Sequence, residues 1–316
     1  MSKIIAIVIS DLHISDWSKF NKDNQRTLNH LRVLSIVKDL CKKANCPALF
    51  CGDLFHKPEV LHNDLANICK PIFNRLSNNF TCYAISGNHD LYKINTVDDP
   101  KESWVTFFSG TWLQCIDFKD IKLTQDIRVH GVPYIDHNLG INEYLSKLHL
   151  EKGIKHVLLL HTDYPGAKDC DGRVVDSVEN LNLNTLNRFD LVLCGHIHKP
   201  QRLSKKVYMI GAPLQQRRTD RDTDLGYWEL HDDLTMVFKP IEGFPKFIDV
   251  EHEDDINDDG NYYTVLPKKT SIEVNNKHKI TKQLTKKTLA KRYLKEKGIK
   301  DKAKKDLLVS ILKNSE

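Results

Sequence analysis

Five short apolar runs constrain this chain more than anything else in its sequence. Ile4–Ile9, Ala48–Cys51, Cys82–Ile85, Val157–Leu160 and Leu191–Cys194 are four to six residues long, and each runs directly into a polar cluster. A continuous apolar run of that length reads as a strand covered on both faces. Longer segments with helical spacing separate the first three runs. Apolar residues fall at 28, 31, 33, 34, 36, 37 and 40 in the first segment, and at 61, 65, 68, 69, 72, 73 and 76 in the second. Strand alternating with helix predicts an α/β fold.

Further along, Tyr208–Ile210 reads as another strand, and Gly226–Leu230 with Leu234–Phe238 as a hairpin across His231-Asp232-Asp233. Lys246–Val250 and Tyr262–Leu266 are two more strand candidates, separated by a loop with six acids in residues 251–260. The spacing predicts a domain over 1–240, a small β-containing unit over 241–275, and a basic helical tail over 276–316. That tail holds 14 Lys+Arg against 4 Asp+Glu, so the rest of a chain of net charge +5 is mildly acidic. Its Leu307, Leu308, Ile311 and Leu312 share one helical face. The basic charge is compatible both with nucleic acid and with a solvated face.

No apolar run approaches the roughly 20 residues a membrane helix needs. The first is too short for a signal-peptide core. The eight cysteines are scattered without a C-x-x-C pair, and Cys51 and Cys194 sit inside apolar runs as reduced core residues. A cytoplasmic protein with no membrane association is expected.

The polar clusters carry the chemistry. The runs end, in order, in Ser10-Asp11-Leu12-His13, Gly52-Asp53-Leu54-Phe55-His56, Gly87-Asn88-His89-Asp90, His161-Thr162-Asp163 and Gly195-His196-Ile197-His198. In an α/β sheet, sites form at the carboxyl ends of strands. Asp, Asn and His from five strand ends offer imidazole and oxygen donors and no thiolate, which suits manganese, iron or zinc. Seven such donors exceed one ion's needs. Two ions sharing one carboxylate, about 3.5–4 Å apart, would use them and could clamp a phosphate while activating water.

The ordered set D-x-H, G-D, G-N-H-D, H and G-H-x-H resembles the calcineurin-like metallophosphoesterase superfamily over about residues 4–240. The resemblance implies a β-sandwich flanked by helices with two divalent metals at its edge. Asp11, His13 and His198 would hold one ion, Asn88, His161 and His196 the other, and Asp53 would bridge them. His89 would meet the scissile phosphate, with Asp90 accepting its other ring proton.

Ser10–Ile14, Gly52–His56, Val129–Tyr134 and Gly243–Val250 further resemble the SbcD-type nucleases of DNA double-strand-break repair. That likeness implies a manganese-dependent DNA exonuclease-endonuclease, a small capping domain over 241–275, a catalytic contribution from His56, and a basic tail docked on an SbcC-type ATPase. It also implies a homodimer within a heterotetramer. The chain has no G-x-x-x-x-G-K-[ST], so ATP hydrolysis would belong to that partner. The competing reading is a phosphatase acting on phosphoprotein or a small phosphoester. Leu54-Phe55-His56-Lys57 lacks the Arg usual after the second motif of protein phosphatases, and the third motif ends in Asp90 rather than Glu. A non-enzymatic scaffold would have lost ligands, and all seven are present. His30, His62, His137, His149 and His156 read as surface or core histidines, His130 as lying near the surface, and Arg217, Arg218 and Arg221 as a solvated loop.

Overall fold

The computed structural model describes residues 2–266 except 17–20, 58, 78–79, 94–95, 97–98, 100, 136–137 and 176–180. The basic tail 276–316, the end of the 241–275 unit and His137 lie outside the described residues. Met1–Leu266 form one compact unit.

Two six-stranded sheets face each other. Chain order runs β1 (Ile4–Ile9), α1 (Gln25–Ala44), β2 (Ala48–Phe50), α2 (Asn63–Leu76), β3 (Cys82–Ala84), α3 (Trp104–Phe107), β4 (Leu113–Cys115), β5 (Asp120–Lys122), β6 (Ile127–Val132), α4 (Asn138–Lys147) and β7 (Lys155–His161). It continues with α5 (Leu183–Leu186), β8 (Leu191–Gly195), β9 (Gln201–Arg202), β10 (Val207–Met209), β11 (Gly226–His231), β12 (Met236–Pro240), β13 (Phe247–Val250) and β14 (Tyr262–Val265). The first sheet has the order β12-β11-β1-β2-β3-β4 and the second β5-β6-β7-β8-β10-β9. In the first, β1 to β4 run parallel and antiparallel β11 and β12 close one edge; in the second, β6, β7, β8 and β10 run parallel and antiparallel β5 and β9 lie at the two edges.

The apolar runs are continuous because alternate residues serve different layers. Along β1, Ile7 and Ile9 face Leu31, Val37 and Phe73 of α1 and α2, while Ala6 and Val8 face the second sheet. Along β7, Val157 and Leu159 enter the inter-sheet core, whereas Leu158 and Leu160 meet Ile141, Leu145 and Phe189. The result is a helix–sheet–sheet–helix stack with three apolar layers. Strand ends from two sheets, rather than one open sheet, therefore converge on the same edge.

Helix α1 ends where Asn45 adopts a left-handed conformation and its N–H returns to the carbonyls of Cys41 and Lys42, a common terminating geometry. Past the hairpin β11–β12, β13 and β14 pair in parallel with Phe247 beside Tyr262. Arg218 and Arg221 both reach the Asp249 carboxylate on β13, so they tie these strands to the loop before β11 and are not simply solvated. His130 also departs from its expected place. It lies on β6 at 3% exposure, since the second sheet buries both its faces.

Candidate metal centre

Four of the donor residues occupy backbone conformations that side chains rarely adopt. Asp11, His13, Asp53 and His196 have φ of 52°, 51°, 62° and 90°. Each costs on the order of 1–2 kcal/mol. Hydrogen bonds offset the strain by continuing the β1–β2 pairing past the strand ends: Asp11 N–H to Gly52 (2.9 Å), His13 N–H to Asp53 (3.0 Å) and Ile14 N–H to Leu54 (2.9 Å). The glycines of the motifs are required by closeness. A Cβ on Gly52, itself at φ 96°, would lie 2.3 Å from His161 Nδ1, and one on Gly87 would lie 2.1 Å from Asp53 Oδ1.

The seven donors are brought together. Asp53 Oδ2 lies 3.6 Å from His13 Nε2 and 3.4 Å from His161 Nε2, so one carboxylate oxygen faces two clusters. On one side His13 Nε2 and His198 Nε2 are 3.2 Å apart, and Asp11 can bind the same ion as this pair. On the other, Asn88 Oδ1 lies 3.1 Å from His161 Nε2 and 3.0 Å from His196 Nδ1. Metal–ligand bonds of about 2.0–2.2 Å place neighbouring ligands roughly 2.8–3.6 Å apart, and the donors are already at that spacing. The donor set and its geometry therefore fit two ions.

Surrounding groups fix four of the donors. His161 Nδ1–H donates to the Cys51 carbonyl at 2.7 Å, and His198 Nδ1–H to Asp220 at 3.3 Å, which leaves both Nε2 lone pairs for metal. Both Asp11 oxygens accept the His196 N–H at 3.1 Å. Asp53 Oδ1 accepts the His89 N–H at 2.8 Å. Burial works against the Asp53 charge, but His161 and His13 hold its carboxyl far below the usual range. Burial likewise opposes the His161 charge, yet Asp53 pushes it up to about 9. Burial keeps His13 well below its ordinary value despite Asp53, with His198, His89 and His56 adding to the effect. A metal bound by His161 would have to displace that proton, so its loading would favour higher pH. The nearby Cys194 thiol is pushed up to about 12 by burial and offers no thiolate.

His89 and His56 stand beside this cluster. Their rings stack at 5.0 Å with an interplanar angle of 13°, and His89 is edge-on to His13 at 4.8 Å. Asp90 does not receive the His89 ring proton. His89 Nδ1–H donates to the His56 carbonyl at 2.8 Å. The Asp90 carboxylate instead turns inward and accepts the N–H groups of Asp53 (2.8 Å), Leu54 (3.2 Å), Phe55 (3.0 Å) and Gly87 (2.9 Å). A buried carboxylate beside four otherwise unmet N–H donors is more strongly held than one beside a single imidazole. Burial and the Asp53 charge nevertheless push Asp90 up to about 7.

The structure adds residues to which the strand-end pattern assigned no role. Asp220 is fully buried, and besides His198 its carboxylate accepts the N–H groups of Gln216 and Arg217. Asp163 lies 3.4 Å from His196 Nε2. Gln216 donates to the carbonyls of Asp11 and Leu12. Asp220 and Gln216 lie in the loop beyond the Tyr208–Ile210 run rather than directly at its end, so nothing in their local sequence separates them from surface polar residues.

A sequence model of the calcineurin-like phosphoesterases matches residues 6–200. The chain belongs to that family. Calcineurin-like phosphoesterases are hydrolases that act on phosphoesters with two divalent metal ions. The chain is 25% identical over 263 residues to the DNA double-strand break repair protein Mre11 of Nanoarchaeum equitans, covering 76% of this chain and 69% of that one. It is 25% identical over 174 residues to putative phosphoesterase 244L of Invertebrate iridescent virus 6, covering 52% and 56%. Among the described residues no helix is long and apolar enough to cross a membrane.

Proposed function

We propose that this calcineurin-like phosphoesterase is a manganese-dependent DNA nuclease, the cutting subunit of a complex with an SbcC-type ATPase. The observation that carries the reading is the likeness to Mre11. It extends over 263 residues, well beyond the 6–200 stretch that defines the general phosphoesterase. The stacking of His56 on His89 agrees with it, because the second motif here sets an imidazole beside His89 and is followed by no arginine of the protein-phosphatase kind.

In this reading Asp11, His13 and His198 would hold one ion, Asn88, His161 and His196 the other, and Asp53 would be shared between them. The bound ions would supply Lewis-acid stabilisation of the phosphate and an activated water. His89 supplies the proton. Its Nδ1–H is committed to the His56 carbonyl, so Nε2 is the atom left for substrate. As the water oxygen bonds to phosphorus it gives up one proton to solvent, the P–O bond to the sugar breaks, and the Nε2 proton of a His89 ring protonated on both nitrogens passes to the departing sugar oxygen. His56 holds the His89 ring through its carbonyl and its stacked face. The basic residues 276–316 would dock on the ATPase through their apolar face, and the assembly would pair two copies of each chain.

Incubation with linear duplex DNA or with an aryl phosphate, each with manganese, tests the substrate. DNA cleavage that requires manganese is expected. Hydrolysis of the aryl ester with no DNA cleavage would favour the phosphatase reading instead. Loss of ATPase co-purification on truncation after Asn275 is expected, and full-strength binding by the truncated chain would remove the tail as the dock.

A further inference from the structure

The loop Gly87–Asp90 is anchored on its near side by a group that belongs to no strand-end motif. β3 pairs in parallel with β4 as far as Ala84 and Cys115, and the Ile116 N–H adds a last backbone rung to the Ala84 carbonyl at 2.9 Å. There the chain turns away. Phe118 adopts a left-handed conformation at φ 53°, and its N–H goes to the Gly131 carbonyl of β6 in the second sheet. The next N–H on the β3 edge belongs to Ser86, which is fully buried and so must be paired. The Asp117 side chain takes that rung in place of a backbone carbonyl. Its Oδ1 accepts the Ser86 N–H at 2.8 Å, and its Oδ2 accepts the Ser86 hydroxyl at 2.6 Å.

Ser86 is held from two further sides. Its carbonyl accepts the Tyr134 N–H at 2.8 Å. Its hydroxyl lies 2.5 Å from that of Ser103, which caps α3 by accepting the Thr106 N–H. An ionised carboxylate only accepts, so the Ser86 proton points to Asp117 and Ser103 donates to Ser86. One carboxylate thus orients a hydroxyl chain that joins Ser86 to the start of α3. Two residues beyond Ser86, Asn88 Oδ1 faces His161 Nε2 at 3.1 Å and His196 Nδ1 at 3.0 Å. Asp90 ties the far side of this loop, and Asp117 ties the near side. We propose that Asp117 is a positioning residue of the metal centre, which through Ser86 sets the place of Asn88 and so the affinity for the ion that Asn88, His161 and His196 would hold. This rests on the two-ion assignment above.

The test is calorimetric titration of manganese into the wild-type protein, Asp117→Ala, Asn88→Ala and the double variant. Asp117→Ala should weaken one of the two ions about tenfold or more and leave the other within about twofold. Asn88→Ala has already given up that ion's oxygen donor, so adding Asp117→Ala to it should change manganese binding by less than about twofold. Equal weakening of both ions, a lower melting temperature with both affinities unchanged, or a further tenfold loss in the Asn88→Ala background would overturn the role of Asp117 and leave the two-ion reading standing. A wild-type chain that binds a single ion would overturn both. Should Asp117→Ala lose its cooperative thermal transition, Ser86→Ala carries the test. It removes the hydroxyl half of the contact and keeps the N–H rung, so a several-fold weakening confined to one ion is expected, and wild-type affinity at both would refute the proposal.

Discussion

Replacing His89 by alanine should separate proton transfer from metal binding. The backbone N–H of residue 89, not its ring, holds Asp53 Oδ1 at 2.8 Å, so the bridging carboxylate keeps its orientation in His89→Ala. The ring's own Nδ1–H bond goes to the His56 carbonyl, which can accept from water when the ring is gone. Two manganese ions should therefore bind with affinity within a few-fold of wild type. What disappears is the proton for the sugar oxygen, a poor leaving group. Loss of a general acid costs about 10²–10⁴ in turnover, roughly 3–5 kcal/mol of barrier. With thymidine 5′-(p-nitrophenyl) phosphate the departing phenolate needs little protonation, so the penalty should shrink to about tenfold or less. The assay pairs calorimetric manganese titration with kcat for both substrates. Loss of metal on substitution would move His89 into the ligand set, and an equal loss of turnover with both leaving groups would refute the general-acid role.

Asp90→Ala strips one acceptor from four backbone N–H groups in the second and third metal loops. At about 1–3 kcal/mol per unmet buried donor, the protein should lose at least about 4 kcal/mol, and a denaturation midpoint near wild type would contradict this. Asp220→Asn should weaken manganese affinity about 10–100-fold through His198, read by titration, while unchanged affinity would show that the His198 tautomer is fixed by other means. His130 gives a pH signature. Its Nε2–H donates to His156 Nδ1 at 2.9 Å, its Nδ1 has no hydrogen-bond partner among the described residues, and burial together with His156 lowers it to about 4. An imidazole whose folded value lies below its unfolded one contributes stability in full above about pH 6.5 and loses it as pH falls toward 4. Between pH 7.5 and 5 wild type should lose about 2 kcal/mol more than His130→Gln, and parallel pH–stability curves would refute that.

Much of the fold and site was legible because both depend on burial. Runs such as Ile4–Ile9 and Val157–Leu160 could be read as strands since both faces of each are covered, and the donors fall directly after them. The periodic segments gave α1 and α2 for the same reason. β4, β5 and β6 were missed as elements. β4 and β5 are three residues long and partly exposed, and β6 interrupts its apolar residues with Arg128, His130 and Gly131. The convergence of strand ends from two facing sheets is a long-range property that no local run encodes. The role of Asp90 was misread for a related reason. Adjacency in Gly87-Asn88-His89-Asp90 suggested a partnership with its neighbour, whereas the turn at Asn88–Asp90 sends the carboxylate back under the second metal loop. Asp220, Gln216 and Asp117 reach the site only through tertiary contacts.

The central claim is that Asp53 joins two metal ions into one phosphoester-cleaving centre. Manganese bound per chain, measured on wild type and on Asp53→Asn at matched thermal stability alongside cleavage of a phosphodiester, tests it most directly. The structure predicts two ions per wild-type chain with the spectroscopic signature of a coupled pair. Asp53→Asn should remain folded, lose the coupling and at least one ion, and no longer cut. A wild-type chain saturating at one ion, or an Asp53→Asn protein cutting at the wild-type rate, would contradict the account.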